Sequence, residues 1–145
     1  MTAMRLAARA AGMKMMEASV NDVTAVIDRY FAVWNETDAA TRRALISRTW
    51  SADASYVDPL LAGEGPDGID AMIAAGQGQF PGHTVRLASG IDSHHARVRF
   101  NWEIVGPGSA DPVVTGVDFA VIDADGKLQS ITGFFDHVPA ALLAR

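Results

Sequence analysis

Two consecutive runs between Arg97 and Ile122 constrain most of what this chain can fold into. In the first, Val98, Phe100, Trp102 and Ile104 are apolar while Arg97, Arg99, Asn101 and Glu103 are polar. This period of two gives an extended strand one dry and one wet face. The second run, Val113 to Ile122, sets Val113, Thr115, Val117, Phe119 and Val121 on one face and Val114, Gly116, Asp118, Ala120 and Ile122 on the other, both mostly apolar. An antiparallel strand covered on both sides needs helices on one face and something else on the other, and a second subunit is the economical cover. The expectation is a homodimer. Strands over His83 to Ser89 and Leu128 to His137 complete a meander, with turns at Ser93 to His95, Gly106 to Pro112 and Ala124 to Lys127.

Upstream the period changes to that of a helix. Ser19 can cap, Asp22 follows three residues on, and Val23, Val26, Ile27, Tyr30, Phe31 and Trp34 form an aromatic stripe. Asp38 is placed to cap a second helix over Ala39 to Trp50, with Ala44, Leu45 and Trp50 available for burial. A strand over Ala54 to Val57 ends in Asp58-Pro59, where the proline ring removes an amide donor and holds Asp58 extended. Leu60 to Gly65 reads as loop. Pro66 opens a third helix through Phe80, with Ile69, Met72, Ile73 and Phe80 on one face, and Pro81-Gly82 closes it.

With 145 residues, 49% of them apolar, the chain suits one domain with a well-filled core. The expected organisation is an extension over 1–18, a domain over 19–139 and a tail over 140–145. The extension carries Arg5, Arg9 and Lys14 against Glu17 alone and lacks a cap-bounded amphipathic pattern, so the domain should fold without it. Cysteine is absent, which excludes thiolate catalysis, thiolate metal sites and a disulfide framework and makes the cytoplasm the expected compartment. A net charge of −5 argues against a nucleic-acid partner. No run is long and apolar enough for a membrane span.

Three side chains are candidates for chemistry. Asp118 lies between Gly116 and Ala120 on one strand face, in surroundings that disfavour its charged form, so it could serve as a neutral hydrogen-bond donor; the alternative is a structural ion pair with Arg86, Arg97 or Arg99. Tyr30 offers a donor from the helical stripe, or it is a core residue whose hydroxyl meets a backbone carbonyl. Asp58 could act as a general base, or merely close an Asx-type turn. Among the histidines, His94 and His95 are adjacent and cannot readily share one metal ion, while His83 and His137 could line a cavity or be solvated. Gly76, Gly78 and Gly82 do not have the spacing of a dinucleotide loop.

The helices, the strand ending in Asp-Pro and the long meander resemble the α+β, cone-shaped fold of the nuclear transport factor 2-like superfamily, three N-terminal helices packed on a strongly bent antiparallel sheet. Within it Arg29-Tyr30, the stretch Trp50 to Pro59, and Gly116-Val117-Asp118-Phe119 up to Leu128 resemble bacterial ketosteroid isomerases and the broader SnoaL-like group named for polyketide cyclases. The stretch Trp34 to Trp50 is a few residues longer than in those isomerases. The resemblance implies Asp58 as base, with Tyr30 and a protonated Asp118 as donors to an oxyanion. It implies an apolar small-molecule ligand, no cofactor, no metal, and a pocket lined by Trp34, Trp50, Tyr56, Met72, Phe80, Phe100, Trp102 and Phe134. One fold hosts many functions, so two expectations stand side by side: acid–base chemistry on an apolar carbonyl compound, or ligand binding or dimeric interaction without catalysis.

Overall fold

A computed structural model describes residues 22–143; the expected extension over 1–18 and the Ser19 cap lie outside the described residues. Helix α1 (residues 22–35) buries Val23, Val26, Ile27, Tyr30, Phe31 and Val33, the stripe its 3.6-residue period dictates. Helix α2 (Ala39–Thr49) begins where expected, with the Asp38 carboxylate accepting from the Thr41 amide at 2.9 Å. Its buried side differs from the expected one. Ala44 is exposed and Leu45 half-buried, whereas Arg42, Ile46 and Thr49 are buried. Arg42 takes its place by pairing with Asp70, an interaction that local hydrophobicity does not reveal.

Helix α2 runs without a loop into strand β1 (Trp50–Val57), four residues ahead of the expected strand start at Ala54. The segment expected as loop holds a short strand, β2 (Ala62–Glu64), which pairs antiparallel with β1. Helix α3 (Gly65–Gln79) follows with Pro66 in its first turn. Strand β3 (Thr84–Leu87) is shorter than the expected run. The expected turn at Ser93 to His95 is instead mostly strand, β4 (Asp92–His94), and the chain reverses at His95 and Ala96, both left-handed (φ 48° and 60°), as a tight hairpin requires. Strands β5 (Arg97–Val105), β6 (Pro112–Ile122) and β7 (Leu128–His137) follow the sequence reading closely. The tail contains a short helix, α4 (Ala140–Leu143), whose Leu142 packs against the core.

The seven strands form one sheet in the order β2-β1-β7-β6-β5-β3, with β4 added to β5. All pairings are antiparallel except β1 with β7, which is parallel and departs from the purely antiparallel expectation. Register shifts interrupt β5/β6 near Ile104 and β6/β7 near Gly116 and Ile122, and such bulges bend long strands into the curved wall of the α+β cone. The helices cover the concave side. Val114, Gly116, Asp118 and Ala120 of β6 are buried there, while Phe119 (44% exposed) and Phe134 (53% exposed) stack edge to face on the outer side. Among the described residues no helix is long and apolar enough to cross a membrane.

Candidate active site

The register of the sheet determines which groups meet. Asp118 at the middle of β6 stands opposite Phe100 of β5 and Gly133 of β7. Gly133 lets two carboxyl groups approach from either side of bare backbone: a Cβ there would stand 2.7 Å from Asp118 Oδ1 and 3.2 Å from the Asp58 Cβ. Asp58 is brought in by β1, which lies beside β7 and ends at Val57.

Each carboxyl group holds a tyrosine hydroxyl. Tyr30, fully inside α1, donates to Asp118 Oδ2 at 2.6 Å, and Tyr56 of β1 donates to Asp58 Oδ2 at 2.6 Å. Asp118 Oδ1 accepts from the Trp102 indole at 2.9 Å, and Asp58 Oδ1 accepts from the amides of Leu60 and Leu61, each at 2.8 Å. The Asx-type turn and the Tyr56 contact therefore coexist on one side chain, one oxygen for each. None of the three arginines considered for Asp118 reaches it. Arg86 pairs with Glu103, Arg99 with Asp92, and Arg97 donates to the His95 carbonyl.

Burial sets the electrostatics. Asp118 is 2% exposed, and desolvation raises its pKa to about 7 against the pull of the Tyr30 and Trp102 hydrogen bonds, with the Asp58 charge adding to the rise. Burial, followed by the charge of Asp118, holds both tyrosine hydroxyls well above the usual phenol range. Both phenols therefore remain hydrogen-bond donors at neutral pH.

These groups line a cavity of about 80 Å³ whose wall is otherwise mainly apolar. Trp34, Tyr56, Phe80 and Trp102 of the expected wall line it, as do Tyr30, Asp58 and Asp118. Trp50, Met72 and Phe100 do not. They are core residues outside the lining, because β1, α3 and β5 turn these side chains into the helix–sheet interior. Phe134 lies on the outer face of the sheet, since its neighbour Gly133 takes the inward position. Unforeseen wall residues include Leu61, Val85, Ile104, Phe135, Val138 and Leu142, brought together only by the curvature of the sheet.

The space that Gly116 leaves beside Asp118 is filled. A Cβ on Gly116 would clash with both the Phe134 carbonyl and the Trp102 ring, so the glycine makes room for the neighbouring strand and for the indole that bonds to Asp118. Trp102 was legible as an inward residue but not as a donor. Gly133 had one available signal, a glycine inside a strand, which often marks close approach of another group. Among the described residues no group of His, Cys, Asp and Glu side chains could hold a metal ion.

The profile of the SnoaL-like domain family matches residues 27–131. The chain belongs to the SnoaL-like family. Within it, this chain is 37% identical to a candidate isomerase of the SnoaL-like family from Agrobacterium tumefaciens, over 81% of this chain and 99% of that one, with a TM-score of 0.77. An NTF2-like protein of unknown function from an Exiguobacterium species (23% identity, 78% and 99% coverage, TM-score 0.62) shares the fold. So does a candidate SnoaL-like polyketide cyclase from a Jannaschia species (19%, 83% and 88%, 0.60). A search of curated proteins finds no match. The nuclear transport factor 2-like fold is thus shown for this SnoaL-like protein.

Proposed function

We propose that this SnoaL-like protein is a cofactor-free enzyme that moves a proton adjacent to the carbonyl of an apolar small molecule, an isomerase- or cyclase-type reaction. One arrangement carries the proposal: two carboxyl groups flanking Gly133 in the wall of a mainly apolar cavity, each bonded to a tyrosine hydroxyl. The 37% identity to a candidate isomerase is consistent with it.

Asp58, fixed by two amides and Tyr56, takes the proton from the α-carbon, and the C–H electron pair moves onto the carbonyl oxygen. The indole on Asp118 Oδ1 can only donate, so a proton held by Asp118 resides on Oδ2. Neutral Asp118 then donates to the Tyr30 oxygen, freeing the Tyr30 O–H to donate to the developing enolate. Two polarised donors in series in a dry site stabilise that charge far better than water would. Asp58 returns the proton to the same carbon or to a conjugated one, which leaves the enzyme unchanged.

Phenols imitate the enolate, and 4-phenylphenol is a suitable probe. It should bind the wild type. Asp118→Leu should weaken it by about 2 to 4 kcal/mol, while Asp58→Asn should keep or improve binding by removing a nearby negative charge. Absence of binding to the wild type, or undiminished binding by Asp118→Leu, overturns the assignment. A second reading, ligand binding without turnover, has one observation in its favour: all four carboxylate oxygens already have partners within the protein. It predicts the same phenol binding without any proton exchange on a ketone.

A further inference from the structure

The cavity of about 80 Å³ is about half of the roughly 150 Å³ that holds a benzene ring, so a ring ligand needs more room beside the aspartates than the cavity offers. Most of the wall is tied down by hydrogen bonds. Tyr30, Tyr56 and Trp102 are each bonded to a carboxyl group, and the amides of Leu60 and Leu61 are held by Asp58 Oδ1. Gln77 donates to the carbonyls of Trp34 and Glu36, which fastens the last turn of α3 to the end of α1. The Asn35 side chain bonds to both the amide and the carbonyl of Val85, each at 2.8 Å, and so fixes the β3 part of the wall. Ile104, Val114 and Phe135 sit in strands paired within the sheet.

Leu142 differs from all of these. It lines the cavity from α4, beyond the end of β7 at His137, and lies half-buried against the core. The Leu142 amide donates to the Pro139 carbonyl at 3.0 Å, a bond that closes the segment's own turn. Among the described residues no hydrogen bond or ion pair joins residues 139–143 to the rest of the fold. Ala140 and Ala141 are exposed, so Leu142 is the contact between α4 and the cavity. Pro139 disfavours a helical conformation at Val138 and makes a corner between β7 and this segment. The wall residue with the fewest restraints is therefore one whose outward movement enlarges the cavity.

We propose that residues 139–143 form a strap that closes the cavity, with Leu142 as its plug and a specificity-determining residue, displaced when a ring-sized apolar ligand reaches the aspartates. The proposal rests on the aspartate reading for its probe, 4-phenylphenol. Two measurements on the full chain test it. Digestion by carboxypeptidase, followed by mass spectrometry, should release Leu142 at least fivefold faster from the complex with saturating 4-phenylphenol than from the free protein. In fluorescence titrations Leu142→Ala should bind 4-phenylphenol about fivefold more tightly, because less apolar burial has to be undone, and Leu142→Met should stay within twofold of wild type. Equal or slower release of Leu142 from the complex, or no gain of affinity in Leu142→Ala, overturns the strap and leaves the aspartate reading intact. If the wild type does not bind 4-phenylphenol, the aspartate reading falls and acrylamide quenching decides the strap alone. Leu142→Ala should then raise the quenching of Trp34 and Trp102, which line the cavity, with no change in urea midpoint; unchanged quenching overturns the strap.

Discussion

At the scale of single residues, Asp118 combines the largest electrostatic cost with the tightest hydrogen bonding. Folding raises its pKa from the ordinary value near 3.8 to about 7, so between those values the native protein holds a proton that the unfolded chain has released. Its contribution to stability is therefore complete at low pH and is lost as pH rises through 7, with about 4 kcal/mol at stake. Asp118→Asn cannot ionise, so its stability relative to wild type should climb between pH 4 and pH 8. Urea denaturation at both pH values measures this; a constant difference would show that the wild-type carboxyl is ionised throughout. Gly133 is the other sensitive position. Gly133→Ala should cost about 1 to 3 kcal/mol by pushing a methyl group onto Asp118 Oδ1 and should weaken 4-phenylphenol binding, because Trp102 and Tyr30 prevent the carboxylate from moving aside. Unchanged binding in that variant would mean the two carboxyl groups need not be so close.

At the scale of elements, the buried Arg42 guanidinium joins α2 to α3 through Asp70 at 2.6 Å and also bonds to Gln77 and to the Glu36 carbonyl at the end of α1. Arg42→Met leaves Asp70 with only the exposed Arg43 at 3.3 Å and should cost about 3 kcal/mol or more in urea denaturation. Replacing both partners by apolar residues should recover most of that loss, and failure to recover it would assign the cost to packing instead. This junction also marks the limit of sequence reading. Strands β5 and β7 were legible to the residue because alternation is a local pattern, and the Asp38 cap because its chemistry is local. The short strands β2 and β4, the parallel pairing of β1 with β7 and the burial of Arg42 depend on partners far along the chain, which no local period records. The same division runs through the site. Tyr30, Asp58 and Asp118 could be singled out by residue type and setting, whereas the Tyr56–Asp58 bond, the indole on Asp118 and the space at Gly133 appear only once the strands are in register.

At the scale of the whole molecule, the outer face of the sheet leaves Phe119 and Phe134 half exposed beside Val117, more apolar surface than an isolated strand pair needs to show water. We propose that a second copy of the chain covers it. Sedimentation equilibrium at micromolar concentration should give twice 15.4 kDa, and Phe134→Lys should shift the population toward monomer; a wild type that sediments only at 15.4 kDa would exclude the dimer. The interior of the same sheet carries the central claim, that the paired aspartates move protons next to a carbonyl. Hydrogen–deuterium exchange at the α-carbon, followed by proton NMR in heavy water, tests this most directly on a panel of two-ring cyclic ketones. Wild type should accelerate exchange on at least one ketone that competes with 4-phenylphenol, and Asp58→Asn should abolish that acceleration while still binding the phenol. Ketones that bind the cavity yet exchange no faster than in buffer, or equal exchange by Asp58→Asn, would contradict it.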